Sequence, residues 1–107
     1  QGVTEDRAGM GYSGIGYMTS GVRVVPLAAK QGKPFVEPTF TNAAKGAYPL
    51  ARFVYVYVNK APGKPLAPLV QEYLKYIYSK EGQAVVIKDG YFPLSAKLID
   101  AQSKNFK

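Results

Sequence analysis

Two hydroxyl side chains stand next to each other in a glycine-rich setting. They are Tyr12 and Ser13, within residues 9–21, Gly-Met-Gly-Tyr-Ser-Gly-Ile-Gly-Tyr-Met-Thr-Ser-Gly. A phenol and an alcohol are neutral hydrogen-bond donors. Beside backbone that glycine allows to approach closely, they suit two tasks. They can cap local structure, or they can line a cleft and donate to an oxygen-rich ligand. Residue type alone favours the first. Gly9, Gly11 and Gly14 also satisfy G-x-G-x-x-G in form. That motif cradles a dinucleotide only between a strand and a helix. No apolar strand precedes Gly9, and more glycine and tyrosine follow Gly14, so the dinucleotide reading is set aside.

Much other chemistry is excluded by composition. The chain has no cysteine and no histidine. This removes disulfides, thiolate metal sites, cysteine nucleophiles and every triad that needs imidazole. No other nucleophile stands at a meaningful spacing from a base. The sequence therefore predicts no catalytic residues, no metal and no cofactor, and reads as a protein that is not an enzyme.

The net charge of +7 raises the question of nucleic acid. The fourteen cations answer it, because no two are adjacent between Arg7 and Lys107. A nucleic-acid arm or recognition helix concentrates its charge. Single, dispersed cations suit a solvated surface, so nucleic acid is not the expected partner. No apolar run approaches the roughly 20 residues of a membrane span, and residues 1–107 are expected to hold no signal peptide. The first residue is Gln1 rather than Met, which reads as a cut end of a longer or processed protein.

A length of 107 residues with 47% hydrophobic content fits one folded domain. Its strongest local signal is Phe-Val-Tyr-Val-Tyr-Val at 53–58, within residues 48–60. β-Branched and aromatic residues suit a pleated surface. The lack of polar alternation predicts an interior strand covered on both faces, with Phe53, Tyr55 and Tyr57 on one side and Val54, Val56 and Val58 on the other.

Other elements follow in order. Residues 1–8 read as a helix end or a loose lead-in, and 9–12 as a short strand. Residues 22–27 and 35–36 form an edge hairpin around a turn at 30–33, with Gly32 at positive φ. Thr41 caps a helical turn over 42–45 that Gly46 ends. Residues 59–64 turn into a helix beginning near 65–68. Its stripe of Leu66, Leu69, Val70, Tyr73, Leu74 and Ile77 is expected to cover one face of the central strand. Glu72 and Lys75 pair off that stripe. Ser79 caps the next helix, with Glu81 in its first turn, Ala84, Val85 and Ile87 along it and Gly90 closing it. Ser95 caps a last helix that buries Leu98, Ile99 and Phe106 and places Lys104 and Lys107 at its end. This order makes the fold class α/β or α+β. One strand hydrophobic on both faces has too few helices to cover it, which implies that partners of the sheet lie outside the chain.

Several of these stretches carry a family likeness. Residues 9–17 resemble the GAIGY and GY segments of phosphate-binding proteins of ABC importers. Gly32-Lys33-Pro34, Pro38-Thr39, Asn42, Gly46, Tyr48-Pro49-Leu50, Arg52 and residues 55–60 resemble their G-K-P, P-S/T, N, G-x-Y-P-L-x-R and Y-L/V-Y-V-N-K pattern. Residues 79–83, 88–91 and Pro93-Leu94 complete it. The likeness covers about residues 9–94.

The resemblance implies an α/β periplasmic-binding-protein fold of type II, of which this chain is the C-terminal portion. Residues 1–45 would end the second lobe and make the crossing, and residues 46–107 would return to the first lobe. It implies an extracytoplasmic or periplasmic solute-binding protein that binds phosphate or a related oxyanion for import. Its partners would be the N-terminal half of the same protein and a membrane permease. The alternative is an assembly module that pairs with that half or with a second copy and binds no ligand itself. The family's main phosphate ligands lie in its N-terminal half, and their motifs are absent here. In related oxyanion binders a tyrosine from an equivalent strand points at the anion, which selects Tyr12 first and Ser13 second as ligand-binding residues. Arg52 is expected to be structural.

Overall fold

The computed structural model describes residues 1–106, so Lys107, one of the expected helix-end cations, lies outside the described residues. The chain divides into two units, Gln1–Val54 and a second that begins at Tyr55.

In the first unit, α1 (Gly2–Glu5) is a single turn. Its amides at Thr4 and Glu5 donate to the Gln1 carbonyl at 2.8 and 3.2 Å. The expected strand at 9–12 does not form. That stretch is irregular and leads into one 3-10 turn, Ile15–Tyr17. Four of its first six residues are glycine or serine, which offer little side-chain surface to hold a ladder.

The hairpin is present in minimal form. Leu27 and Val36 form one antiparallel bridge, exchanging both N–H···O bonds at 2.9 Å. The Lys33 amide donates to the Lys30 carbonyl at 3.1 Å, and Gly32 takes φ 80° between them. A positive φ at the third residue of a turn is the type II pattern, which glycine accepts without a Cβ penalty.

A helical turn does follow, but Thr41 is not its cap. Thr39 caps α2 (Phe40–Ala44), its Oγ1 accepting from the Asn42 amide at 3.2 Å. Thr39 has the extended backbone, φ −83° and ψ 158°, that an N-cap needs. Thr41 already sits inside the helix. Gly46 ends the turn at φ 68°, as its position predicts.

Three helices make up the second unit: α3 (Pro68–Tyr78), α4 (Lys80–Lys88) and α5 (Ala96–Ser103). Pro68 opens α3 at a position where the missing N–H costs nothing. Lys75 and Glu72 pair at 2.6 Å on its outer side. Leu66, Leu74 and Phe106 form the buried cluster, with Val70, Ile77 and Tyr78 packed against it. The apolar stripe of α3 is therefore split. Leu74 is 6% exposed, whereas Leu69 is 82% exposed and Tyr73 also faces outward. Two apolar lines run along one helix, and only one is covered.

Ser79 ends α3 and starts α4. Its hydroxyl donates to the Tyr76 carbonyl at 2.7 Å and accepts from the Gly82 amide at 3.0 Å. Gly82 and Gln83 are the buried residues of α4, while Ala84, Val85 and Ile87, the apolar residues along it, are exposed. The Gln83 amide nitrogen donates to the Ile77 carbonyl at 2.9 Å, and its oxygen accepts from the Leu94 amide at 2.7 Å. A polar side chain can be buried there because both ends of its amide are bonded. Gly90 follows α4 at φ 86°. Ser95 caps α5 through the Leu98 amide at 3.3 Å. Phe106 is buried as expected, but Leu98 is exposed.

The α/β expectation is met on its helical side only. Among the described residues the Leu27–Val36 bridge is the one β feature. Residues 53–58 are exposed and carry no strand assignment, which corrects the expectation of a strand buried on both faces. The reason is physical. β-Favouring residues suit a pleated surface, but a strand exists only through a neighbour's ladder. Part of the predicted alternation is visible within residues 55–58. The rings of Tyr55 and Tyr57 lie 6.4 Å apart on one side. Val56 and Val58 border a hollow of about 180 Å³ with Leu66, Leu74, Tyr78 and Phe106. No helix among the described residues is long and apolar enough to cross a membrane.

Candidate functional site

Tyr12 and Ser13 occupy an exposed tip of the glycine-rich stretch. Tyr12 is fully solvent-exposed. The flanks of the tip are anchored. On the N-terminal side, Asp6 Oδ1 accepts from the Ala8 amide at 3.0 Å, and the Asp6 carbonyl accepts from the Gly9 amide at 2.9 Å. On the C-terminal side, the Tyr17 amide donates to the Gly14 carbonyl at 3.0 Å. The two hydroxyls are therefore presented by a short loop flanked on each side by a local hydrogen-bonded turn.

What supports the loop was not visible from the sequence. A Cβ on Gly11 would stand 2.8 Å from Val3 Cγ2. A Cβ on Gly21 would overlap Thr4 Cγ2 and stand 3.0 Å from Thr4 Oγ1. The β-branched pair of α1 is thus seated against two glycines that lie ten positions apart. The glycine spacing marked a place of close approach, but it could not name the residues approaching.

Around Arg52 the order is equally local. The Asn42 carbonyl accepts from the Ala47 and Tyr48 amides at 2.9 and 3.2 Å, and its side chain donates to the Glu37 carbonyl at 2.9 Å. The Ala51 amide donates to the Tyr48 carbonyl at 3.2 Å, so residues 48–51 form a turn with Pro49 at its second position. Arg52 leaves that turn exposed, without a salt bridge among the described residues. The hairpin tip encloses an open space of about 620 Å³ bordered by Leu27, Pro34 and Phe35, with Lys30 and Lys33 at its edge.

Chemically, these groups are hydroxyl donors, backbone amides and solvated cations. No group of three or more carboxylates able to hold a metal ion occurs among the described residues. Neutral O–H and N–H donors suit an oxyanion, which accepts hydrogen bonds on every oxygen.

Comparison with known proteins gives this arrangement a context. The PBP superfamily domain matches residues 2–81. The chain is 56% identical over 104 residues to the phosphate-binding protein PstS of Pseudomonas aeruginosa, a match that covers 97% of this chain and 32% of that protein. It is 31% identical over 106 residues to phosphate-binding protein PstS 2 of Streptococcus agalactiae, covering 98% of this chain and 33% of the relative. Protein SphX of Synechococcus elongatus is 30% identical over 111 residues. The chain spans about a third of the length of these curated relatives. The domain match extends from α1 through the start of α4, taking in the glycine-rich tip, the hairpin, the Tyr48–Ala51 turn and the whole of α3, and on that ground the chain belongs to the PBP superfamily.

Proposed function

We propose that this chain is a C-terminal portion of an extracytoplasmic solute-binding protein that captures phosphate for an ABC-type importer. The observation that carries the reading is the 56% identity, over 97% of the chain, to a protein named for binding phosphate. In this reading the fold is the α/β type II periplasmic-binding-protein fold. Residues 1–45 end the second lobe and cross between lobes, and residues 46–107 return to the first. The N-terminal half supplies the missing sheet neighbours and most of the anion's ligands, and a membrane permease receives the cargo. The role is binding, not catalysis.

Tyr12 and Ser13 are the groups of this chain assigned to the anion. Their support is the exposed, anchored tip and the neutral donor chemistry. Neutral donors bind an oxyanion without requiring a compensating charge, and dispersed surface cations enrich anions within about 10 Å at ordinary salt.

The test is calorimetry with inorganic phosphate on two samples. The full-length protein carrying this chain is expected to bind with a saturable heat, and the isolated chain is expected to give little. Absence of binding by the full-length protein overturns the reading. Tight binding by the isolated chain overturns the assignment of most ligands to the other half.

A further inference from the structure

The tip bearing Tyr12 and Ser13 is backed by a wall that no motif identifies. Val3 and Thr4 of α1 lie against Gly11 and Gly21, the former next to Tyr12 and the latter at the far end of the same stretch. An added Cβ at either glycine meets a β-branched side chain, at 2.8 Å for Gly11 on Val3 and in overlap for Gly21 on Thr4. β-Branched residues have few χ1 alternatives, so the methyl groups cannot simply swing aside. The loop must then move, and the hydroxyls move with it.

We infer that Val3 and Thr4 are positioning residues for the anion-binding hydroxyls, with Gly11 and Gly21 as the receiving surface. The inference rests on the assignment of Tyr12 and Ser13 proposed above. It adds that their placement is set by side chains of α1 rather than by hydrogen bonds from the tip. The hydrogen bonds near the tip lie at its flanks, Ala8 and Gly9 on one side and Tyr17 on the other. Packing at Gly11 and Gly21 is what remains to fix the loop between and beyond them.

The experiment uses the full-length protein carrying this chain, with inorganic phosphate as the probe and calorimetry as the readout. Gly21→Ala is expected to weaken phosphate binding by about tenfold, the scale of one hydrogen bond lost to a charged ligand. In a Tyr12→Phe background the same substitution is expected to change affinity little, because the hydroxyl it displaces is already gone. Adding Thr4→Ala to Gly21→Ala is expected to restore binding, since only the Thr4 Cβ would then face the new methyl, at 3.3 Å. Should Gly21→Ala fail to fold, Thr4→Gly removes the wall without adding bulk and is expected to weaken binding in the same Tyr12-dependent way. Unchanged affinity in Gly21→Ala, or an equal loss with and without the Tyr12 hydroxyl, overturns the inference while the functional reading stands. A wild-type protein that binds no phosphate overturns both.

Discussion

The rings of Tyr78 and Phe106 stack with centroids 5.4 Å apart and planes 14° from parallel. Tyr78 is the last residue of α3, and Phe106 follows the end of α5. The contact therefore joins two helix ends that are 28 residues apart in sequence (106 − 78). Gln71 adds a second tie, its side-chain amide donating to the Phe106 carbonyl at 2.9 Å. Leu66, Leu74 and Phe106 form the buried cluster among the described residues, so each of these side chains is a large share of the core.

Phe106→Ala should destabilise the helical unit by about 3 kcal/mol, at the low end for aromatic truncation because the site can partly collapse. Phe106→Leu should cost less, since it keeps most of the volume. Urea unfolding of the full chain, followed by helical circular dichroism, reads both. Equal stability of Phe106→Ala and the parent would show that the stack is not part of the core.

Gln83 should tolerate no apolar replacement. Its amide serves the Ile77 carbonyl and the Leu94 amide together, so Gln83→Leu leaves two groups without their partner. Each buried unsatisfied group costs about 1–3 kcal/mol. Gln83→Leu is therefore expected to lower stability despite its greater hydrophobicity, and to speed hydrogen exchange at the Leu94 amide. Unaltered exchange at Leu94 would mean that the bond is not held in solution.

Gly82 offers a test of sign. Gly→Ala within a helix ordinarily stabilises by about 1 kcal/mol. Here the added Cβ would overlap the Tyr76 carbonyl oxygen and stand 2.9 Å from that of Ile77. Gly82→Ala is expected to destabilise the α3–α4 junction instead. Ser79→Ala, which removes only the cap, should cost about 1 kcal/mol. A Gly82→Ala protein with a raised melting temperature would contradict the close helix approach.

These three sites show what the sequence made legible. Ser79 and Ser95 were identified as caps because a cap is a relation between residues three apart. Gly32 and Gly90 were identified because a turn or helix end needs a positive φ locally. Thr41, the expected cap, lies inside α2, because Thr39 has the same side-chain chemistry and only the backbone entry distinguishes the two. The stripe of α3 was legible as a stripe, but Leu69 and Leu74 are equally apolar, and the pattern cannot say which line finds cover. Tyr12 and Ser13 stood out by type and setting, whereas Val3 and Thr4 became visible only when Gly11 and Gly21 were placed against them. The common cause is sequence distance, because local relations are encoded in adjacent residues and packing partners are not.

The strand-like run at 53–58 gives the last prediction. Its six residues are aromatic or valine, yet in this chain the run is exposed. Exposed apolar β-formers without a ladder are unstable as a strand and prone to pair with whatever edge is offered. If the full-length protein supplies that edge, the amides of Val54, Val56 and Tyr57 should exchange within the fastest class in the isolated chain and become protected in the full-length protein. The amides of α3 should be protected in both, because their bonds are internal to the helix and Leu74 anchors it. A Val56→Lys substitution should accordingly change the isolated chain's stability by less than about 0.5 kcal/mol, as for an exposed site, while in the full-length protein it should lower stability by several-fold more. Equal exchange at 54–57 in the two proteins would remove the case for a strand completed from outside this chain.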